Sequence, residues 1–260
     1  MSKVTAIFDA NRDSGKETLI GYFPAGFPTF NESLEACVAM CESGVDILEL
    51  GVPYSDPVMD GPVIQEATEL ALQNGFKLSK IFDLVKAISE RVETPVLVMT
   101  YWNPVLQYGV KRFAEDLKAA GGVGLITPDL IVDEASSWLE ISDPLDLDRV
   151  FLATPSSSQE RVDRTVEMSK GFVYAVSTMG ITGTRESVDD LAKQVVESVR
   201  NASATQNTAV GIGISSASQV REVNDYADGA IVGSAFIRAY ADGGVDALAT
   251  KTAELAKALN

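Results

Sequence analysis

Two carboxylates with the placement of catalytic acids lie in one short segment, VDILELGVPYSDPVMDGP. Glu49 ends an apolar run typical of a buried strand, and Asp60 follows in a segment punctuated by glycine and proline. An unpaired carboxylate is costly to bury, so Glu49 needs either a structural partner or a chemical role. Glycine and proline restrict the backbone around Asp60, which suits a loop that holds it in one place. The pattern predicts general acid–base chemistry.

The residue types that are missing narrow this chemistry. The sequence contains no histidine, which excludes imidazole bases, serine–histidine nucleophiles and nearly all catalytic zinc sites. No lysine falls inside a predicted strand, so a Schiff-base aldolase or a pyridoxal enzyme has no candidate nucleophile. The two cysteines, Cys37 and Cys41, share one helical face and are interpreted as buried hydrophobic residues. We therefore predict carboxylate catalysis and no metal site.

Composition excludes several kinds of partner. The chain has 260 residues and a net charge of -16, which argues against nucleic acid and anionic membranes. No apolar stretch is long enough to span a membrane, and the first residues lack the core of a signal peptide. We expect a cytoplasmic protein. The acidic charge does not argue against a phosphorylated substrate, because backbone amides at a helix N-terminus bind phosphate without lysine.

Short apolar runs alternate with amphipathic stretches along the whole chain. The eight predicted strands are Leu19–Phe23, Asp46–Leu50, Val96–Met99, Val123–Ile126, Arg149–Leu152, Val173–Val176, Ala209–Ile212 and Gly229–Val232. The predicted helices are Leu34–Glu42, Gln65–Gln73, Leu78–Ile88, Phe113–Ala120, Ala135–Leu139, Arg161–Met168, Val188–Val199, Ala217–Val223 and Val245–Leu259. This order predicts a single (β/α)8 barrel domain over residues 1–260 with extra short helices. A doubly wound open sheet is the alternative.

In such a barrel the site lies at the carboxyl ends of the strands. That rule gathers Glu49 and Asp60 with Tyr22, Tyr101 and Tyr174. The loop STMGITGTRES after the sixth strand has the composition of a mobile lid. The seventh and eighth strands end in GIGIS and GSAFIR, and we expect these glycine-bearing turns to bind phosphate through backbone N–H groups.

These segments together resemble one family. The stretches GYFPAGFP, ELGVPYSDPVMDGPVIQEA, VSTMGITG, GIGIS and GSAF are similar to the α subunit of tryptophan synthase, over essentially the whole chain. Members are (β/α)8 barrels that cleave indole-3-glycerol phosphate to indole and D-glyceraldehyde 3-phosphate by a retro-aldol reaction. Indole then passes to a β subunit, which condenses it with L-serine to L-tryptophan in an αββα complex. The resemblance implies a β-subunit partner and no cofactor in this chain, with pyridoxal phosphate in the partner.

The resemblance also assigns roles to single residues. Glu49 matches the family's proton donor and acceptor, and Asp60 matches the carboxylate that accepts a hydrogen bond from the indole N–H. The matching phosphate cradle is Gly183, Gly213, Gly233 and Ser234. Substrate-binding positions are Tyr22, Met99, Tyr101, Ile126, Leu152, Tyr174, Ile212, Ile231 and the lid residue Thr182. The apolar positions among these are equally consistent with ordinary barrel core.

Some residues depart from the family pattern. Pro24 and Thr178 stand where many members have threonine and arginine, and Met59 and Trp102 replace residues that are often smaller. These departures concern lid closure and signalling to the β subunit. Two other interpretations remain at this point: another phosphate-binding barrel such as a sugar-phosphate isomerase, and a non-catalytic subunit that binds an indole-like ligand.

Overall fold

Parallel strands form the centre of the molecule. The computed structural model describes residues 2–176, 185–211 and 213–259, without the side chains of residues 185–189. Nine strands lie in these residues: β1 Thr18–Pro24, β2 Ile47–Gly51, β3 Val96–Met99, β4 Gly124–Ile126, β5 Asp148–Val150, β6 Leu152–Ala153, β7 Val173–Ala175, β8 Thr208–Val210 and β9 Gly229–Val232. Every strand pair among them is parallel, as a sheet covered by helices requires.

The strands close into a barrel. Their order is β5-β4-β3-β2-β1-β9-β8-β7-β6, so the two ends of the sheet are β5 and β6. Phe151 alone separates these two segments, and its carbonyl accepts the N–H of Tyr174 on β7 at 3.0 Å. They are therefore two segments of one strand, predicted as Arg149–Leu152, which closes the ring. The predicted eight-stranded barrel is confirmed, and the open-sheet alternative is wrong.

Helices surround the barrel. Their bounds are α1 Lys3–Asp13, α2 Phe30–Glu42, α3 Pro62–Gln73, α4 Lys80–Ser89, α5 Trp102–Tyr108, α6 Val110–Ala119, α7 Ser136–Ser142, α8 Gln159–Met168, α9 Arg185–Ala202, α10 Ala217–Asn224 and α11 Ser234–Ala256. Helices α1 and α5 were not predicted. Helix α11 joins the predicted segment at Ser234 to the closing helix and has non-helical backbone angles at Gly243 and Gly244. Across the described ranges, no helix combines the length and apolar character needed to cross a membrane.

Helix α1 closes the amino-terminal end of the barrel. Val4 and Phe8 are buried in the same apolar cluster as strand residues such as Ile20 and Ile47. The Ser2 hydroxyl donates a 2.8 Å hydrogen bond to Asp148 at the start of β5, which fixes the beginning of the helix. With this end filled, a substrate reaches the interior from the carboxyl ends of the strands.

Candidate active site

Glu49 points into the barrel because of strand alternation. Side chains two residues apart on a strand share a face, and Ile47 belongs to the inner apolar cluster. The residues on either side of Glu49, Leu48 and Leu50, belong instead to the larger cluster between sheet and helices. Glu49 is therefore the inward residue one step above Ile47, towards the carboxyl end of β2.

The carboxyl group of Glu49 is held in an apolar setting. Its side chain is 1% exposed, and among the described residues Oε2 has no hydrogen-bond partner. Burial raises the pKa of Glu49 to about 8, and the nearby charge of Asp60 contributes in the same direction. The group is thus protonated near neutral pH and still able to ionise, which suits both a general acid and a general base.

Asp60 has a different environment. The Tyr101 hydroxyl donates a hydrogen bond of 3.1 Å to its Oδ1. Burial raises the pKa of Asp60, while this hydrogen bond lowers it. The two carboxyls are therefore distinguished by their partners, with a donor aimed at Asp60 and one oxygen of Glu49 unpaired. Environments that separate two acids in this way are typical of acid–base sites.

Two tyrosines on other strands lie close enough to the carboxyls to feel their charge. Tyr22 on β1 is in register with Glu49, and Tyr174 lies on β7. Burial first, and the charges of Glu49 and Asp60 second, raise the pKa of both tyrosines well above the ordinary value. Both hydroxyls consequently keep their protons.

Glycines make room for these two rings. A β-carbon at Gly51 would lie 2.2 Å from the Tyr22 hydroxyl oxygen, and one at Gly211 would lie 2.4 Å from that of Tyr174. Larger residues at either position would displace the aromatic side chains beside Glu49.

The apolar residues assigned to the substrate pocket lie in the barrel interior. Ile126 and Ile231 are buried in the inner cluster, and Met99, Leu152 and Tyr174 pack against it while remaining partly accessible. A small cavity of about 10 Å³ also opens beside Asp60, lined by Tyr22, Gly51, Val52, Asp60, Met99, Thr100, Tyr101 and Pro128. These predicted residues therefore face the barrel interior, and Tyr22, Met99 and Tyr101 lie around the cavity beside Asp60.

The described part of the expected phosphate site consists of the start of α11 and of Gly213, which follows β8. Gly233 is its N-cap, and the N–H groups of Phe236 and Ile237 bond to the Gly233 carbonyl. The N–H groups of Ser234 and Ala235 thus lie in the first turn, where a helix offers donors to an anion. Gly213 is exposed with a φ of 50°. Thr182, Gly183, Ile212 and most of the expected lid, including Thr178, lie outside the described residues.

Contacts between the loops after β2, β3 and β4 were not predicted. The Tyr54 ring lies 5.3 Å from that of Tyr101, and Asn103 donates a 3.0 Å hydrogen bond to the Tyr54 hydroxyl. Asp129 accepts the backbone N–H of Trp102 at 2.8 Å. Tyr54 lies in the sequence between Glu49 and Asp60, and this position was the one signal that could have indicated its place in the site. In the described ranges no cluster of acidic or cysteine side chains has an arrangement that would hold a metal ion.

Together these features define the class of protein: a (β/α)8-barrel enzyme whose carboxyl groups lie at the carboxyl ends of the strands. A family model described as tryptophan synthase alpha chain matches residues 8–259. The chain belongs to the tryptophan synthase alpha chain family.

Proteins of this family match the chain over nearly its full length. The tryptophan synthase alpha chain of Leifsonia xyli subsp. xyli is 58% identical over 257 residues, which cover 99% of this chain and 98% of the relative. That of Mycobacterium avium is 53% identical over 255 residues, covering 98% and 93%. A crystal structure of tryptophan synthase from M. tuberculosis in its aminoacrylate-bound form matches with a TM-score of 0.92 and 46% identity, covering all of both chains.

Membership defines the reaction and the partner. The family consists of lyases that cleave indole-3-glycerol phosphate, and the indole is passed to the β subunit for tryptophan synthesis. The chain is an enzyme of this kind and has the β subunit as its partner; pyridoxal phosphate belongs to that subunit. The isomerase and the non-catalytic subunit considered from the sequence are not supported.

The raised pKa of Glu49 predicts a pH-dependent cost to stability. Between about pH 4.5 and 8 the folded protein keeps a proton on Glu49 that the unfolded chain releases. The free energy of unfolding therefore falls as pH rises through this range and levels off above pH 8. Glu49→Gln removes the titration. We expect the variant to be more stable than the parent at pH 9, by about 2 kcal/mol or more, with a smaller difference at pH 5. Urea unfolding at several pH values measures this.

A matched control is Glu93→Gln, which changes an exposed glutamate outside the site. Its free energy of unfolding at pH 9 should lie within about 0.5 kcal/mol of that of the parent. If the curves for Glu49→Gln and the parent ran parallel from pH 5 to 9, Glu49 would not carry the raised pKa.

Proposed function

We propose that Glu49 and Asp60 perform the cleavage of indole-3-glycerol phosphate. The observation that carries this proposal is the contrast between the two acids. Glu49 is buried with a pKa of about 8 and an unpaired oxygen, whereas Asp60 accepts a hydrogen bond from Tyr101. One group can deliver a proton near neutral pH while the other provides negative charge.

The proposed reaction has two steps at Glu49. Its carboxyl first transfers a proton to C3 of the indole ring, which gives an indolenine with positive charge on the ring nitrogen. Asp60 accepts a hydrogen bond from that N–H and stabilises the charge. The Glu49 carboxylate then takes the proton of the glycerol hydroxyl next to the ring. As the C–C bond breaks, its electron pair returns to the ring, releasing indole and glyceraldehyde 3-phosphate. The protonated ring serves as the electron sink.

The residues around these acids form the proposed substrate pocket. They are Tyr22, Met99, Tyr101, Ile126, Leu152, Tyr174 and Ile231, with Thr182 and Ile212 included on the resemblance alone.

We further propose that residues 1–260 work as one domain, since the apolar clusters draw on strands from both halves of the chain. A cytoplasmic location is in line with two free cysteines.

The acid pair is tested by near-isosteric substitution. We expect Glu49→Gln and Asp60→Asn each to lower kcat for indole release by about 100-fold or more, because each removes a charge or proton used in the transition state. The assay measures indole released from indole-3-glycerol phosphate by the purified chain. Glu66→Gln, at an exposed position on α3, is the control and should retain full activity. Near-parental turnover in either acid variant would refute the assignment.

Phosphate binding is proposed to depend on backbone N–H groups. The donors are those near Gly213 and at the start of α11, at Gly233 and Ser234, with Gly183 included from the resemblance. A positive φ at Gly213 and the first-turn amides of Ser234 and Ala235 support this arrangement.

Gly213→Asn tests the phosphate site. Asparagine tolerates a positive φ, and the position has open space around it, so the fold should persist while the side chain crowds the anion. We expect the dissociation constant for glycerol phosphate to rise about tenfold, measured by calorimetry. Gly15→Asn is the matched control, since Gly15 also has a positive φ and open surroundings but follows α1 at the other end of the barrel. Equal affinities for Gly213→Asn and the parent would refute this site.

We propose that the β subunit docks on the loops after β2, β3 and β4. These strands are neighbours in the barrel, so their loops form one continuous face. Val58, Leu106 and Ile131 on this face are large hydrophobic residues exposed to solvent, which is typical of a protein-binding surface. The polar residues around them are Asp56, Asn103 and Asp129. Docking there would favour closure over the site and speed cleavage.

Leu106→Lys tests this surface. The residue is 52% exposed on α5, so lysine should not disturb the fold but should weaken an apolar interface. We expect about tenfold more β subunit to be needed for half-maximal stimulation of indole release. Leu70→Lys, at a 38% exposed leucine on α3, should leave that concentration unchanged. An unaltered titration with Leu106→Lys would exclude Leu106 from the interface.

A further inference from the structure

The Tyr101 hydroxyl has a fixed direction. Tyr101 follows β3 and is 4% exposed, and its oxygen accepts the backbone N–H of Met59 at 2.9 Å. The same hydroxyl lies 3.1 Å from Oδ1 of Asp60. A phenol has one hydrogen, and a backbone N–H can only donate, so the hydrogen of Tyr101 is directed at Asp60.

Neighbouring groups keep the Tyr101 ring in this place. Its ring packs against that of Tyr54, whose hydroxyl accepts a hydrogen bond from Asn103. The loop after β2 and the loop after β3 are thus joined around one phenol. Because both functions of the hydroxyl are already occupied, Tyr101 acts on Asp60 and is not available to hydrogen-bond a substrate.

The groups that face Asp60 do not act on it equally. In the described part of the chain the titratable ones are Glu49 on β2, Tyr22 on β1, Tyr174 on β7 and Tyr101. The hydrogen bond to Asp60 comes from Tyr101 and favours its ionised form. The charge of Asp60 in turn disfavours ionisation of Glu49. The hydrogen bond from Tyr101 therefore favours the state in which Asp60 is ionised and Glu49 carries the proton.

We propose that Tyr101 is a positioning residue that keeps Asp60 ionised and oriented, and so leaves the proton on Glu49. This inference rests on the proposed catalytic roles of those two acids. This role of the hydroxyl is separate from that of the ring, which lines the proposed substrate pocket, because the hydroxyl acts through the carboxylate of Asp60.

Tyr101→Phe removes the hydroxyl and keeps the ring. In the isolated chain we expect kcat to fall about tenfold with KM changed less than twofold, since a hydrogen bond to a charged group is lost. The acidic limb of the pH dependence of kcat should move to higher pH, because Asp60 then protonates more easily. The alkaline limb, set by Glu49, should stay in place. Tyr108→Phe removes a similar tyrosine–aspartate hydrogen bond, to Asp116, and should change neither kcat nor the pH profile.

Carbon-13 NMR of labelled aspartate separates this inference from the proposed function. Tyr101→Phe should raise the pKa of the Asp60 carboxyl whether or not Asp60 takes part in catalysis, and Asp60→Asn identifies its signal. An Asp60 pKa that is unchanged in Tyr101→Phe would overturn the role of Tyr101. If that pKa rose while Asp60→Asn remained fully active, the positioning contact would hold and the proposed function would fail. In an Asp60→Asn background, Tyr101→Phe should cause no further loss of kcat, whereas a purely structural role would add one.

Discussion

The cost of burying a carboxyl group inside an apolar barrel governs this site. Glu49 lies between side chains that give it little solvation, and its Oε2 finds no partner in the described part of the chain. The protein therefore holds Glu49 in its neutral form near pH 7, which is the form that the proposed proton transfer requires. The same burial lowers the stability of the fold at higher pH, as expected when function requires an unfavourable arrangement.

The fold surrounds the Glu49 carboxyl with side chains from several βα units. Pairing of β1 with β2 sets Tyr22 beside Glu49, and Gly51 leaves space for the tyrosine hydroxyl. The loop after β2 returns Asp60 to the same end of the barrel, where Tyr101 reaches it from β3. At the opposite end Phe8 of α1 fills the interior, so the site opens in one direction. Each contact joins residues from different βα units, and the closed sheet fixes their separation.

Much of this arrangement could be predicted from the sequence, because it depends on local patterns. The barrel is predicted by apolar runs of strand length that alternate with amphipathic segments. The rule on strand ends then brought Glu49, Asp60 and the tyrosines together. The roles of single residues came from family resemblance, since spacing alone does not distinguish a proton donor from a charge stabiliser.

Other features depend on contacts between distant residues. The fifth strand is divided at Phe151 because its residues before Phe151 pair with β4 and those after it pair with β7. Helix α1 was not predicted, because only two of its residues, Val4 and Phe8, are buried and its apolar pattern is therefore weak. The direction of the Tyr101 hydroxyl depends on where the Met59 amide lies, and no local pattern specifies that.

The most direct measurement is a titration of the glutamate carboxyls by carbon-13 NMR in the isolated, labelled protein. If burial holds the proton on Glu49, one carboxyl should titrate near pH 8, and its signal should be absent from Glu49→Gln. If the Glu49 signal instead titrated at about pH 4 to 5, the ordinary range of a glutamate carboxyl, Glu49 would be ionised at neutral pH and would not be the stored acid.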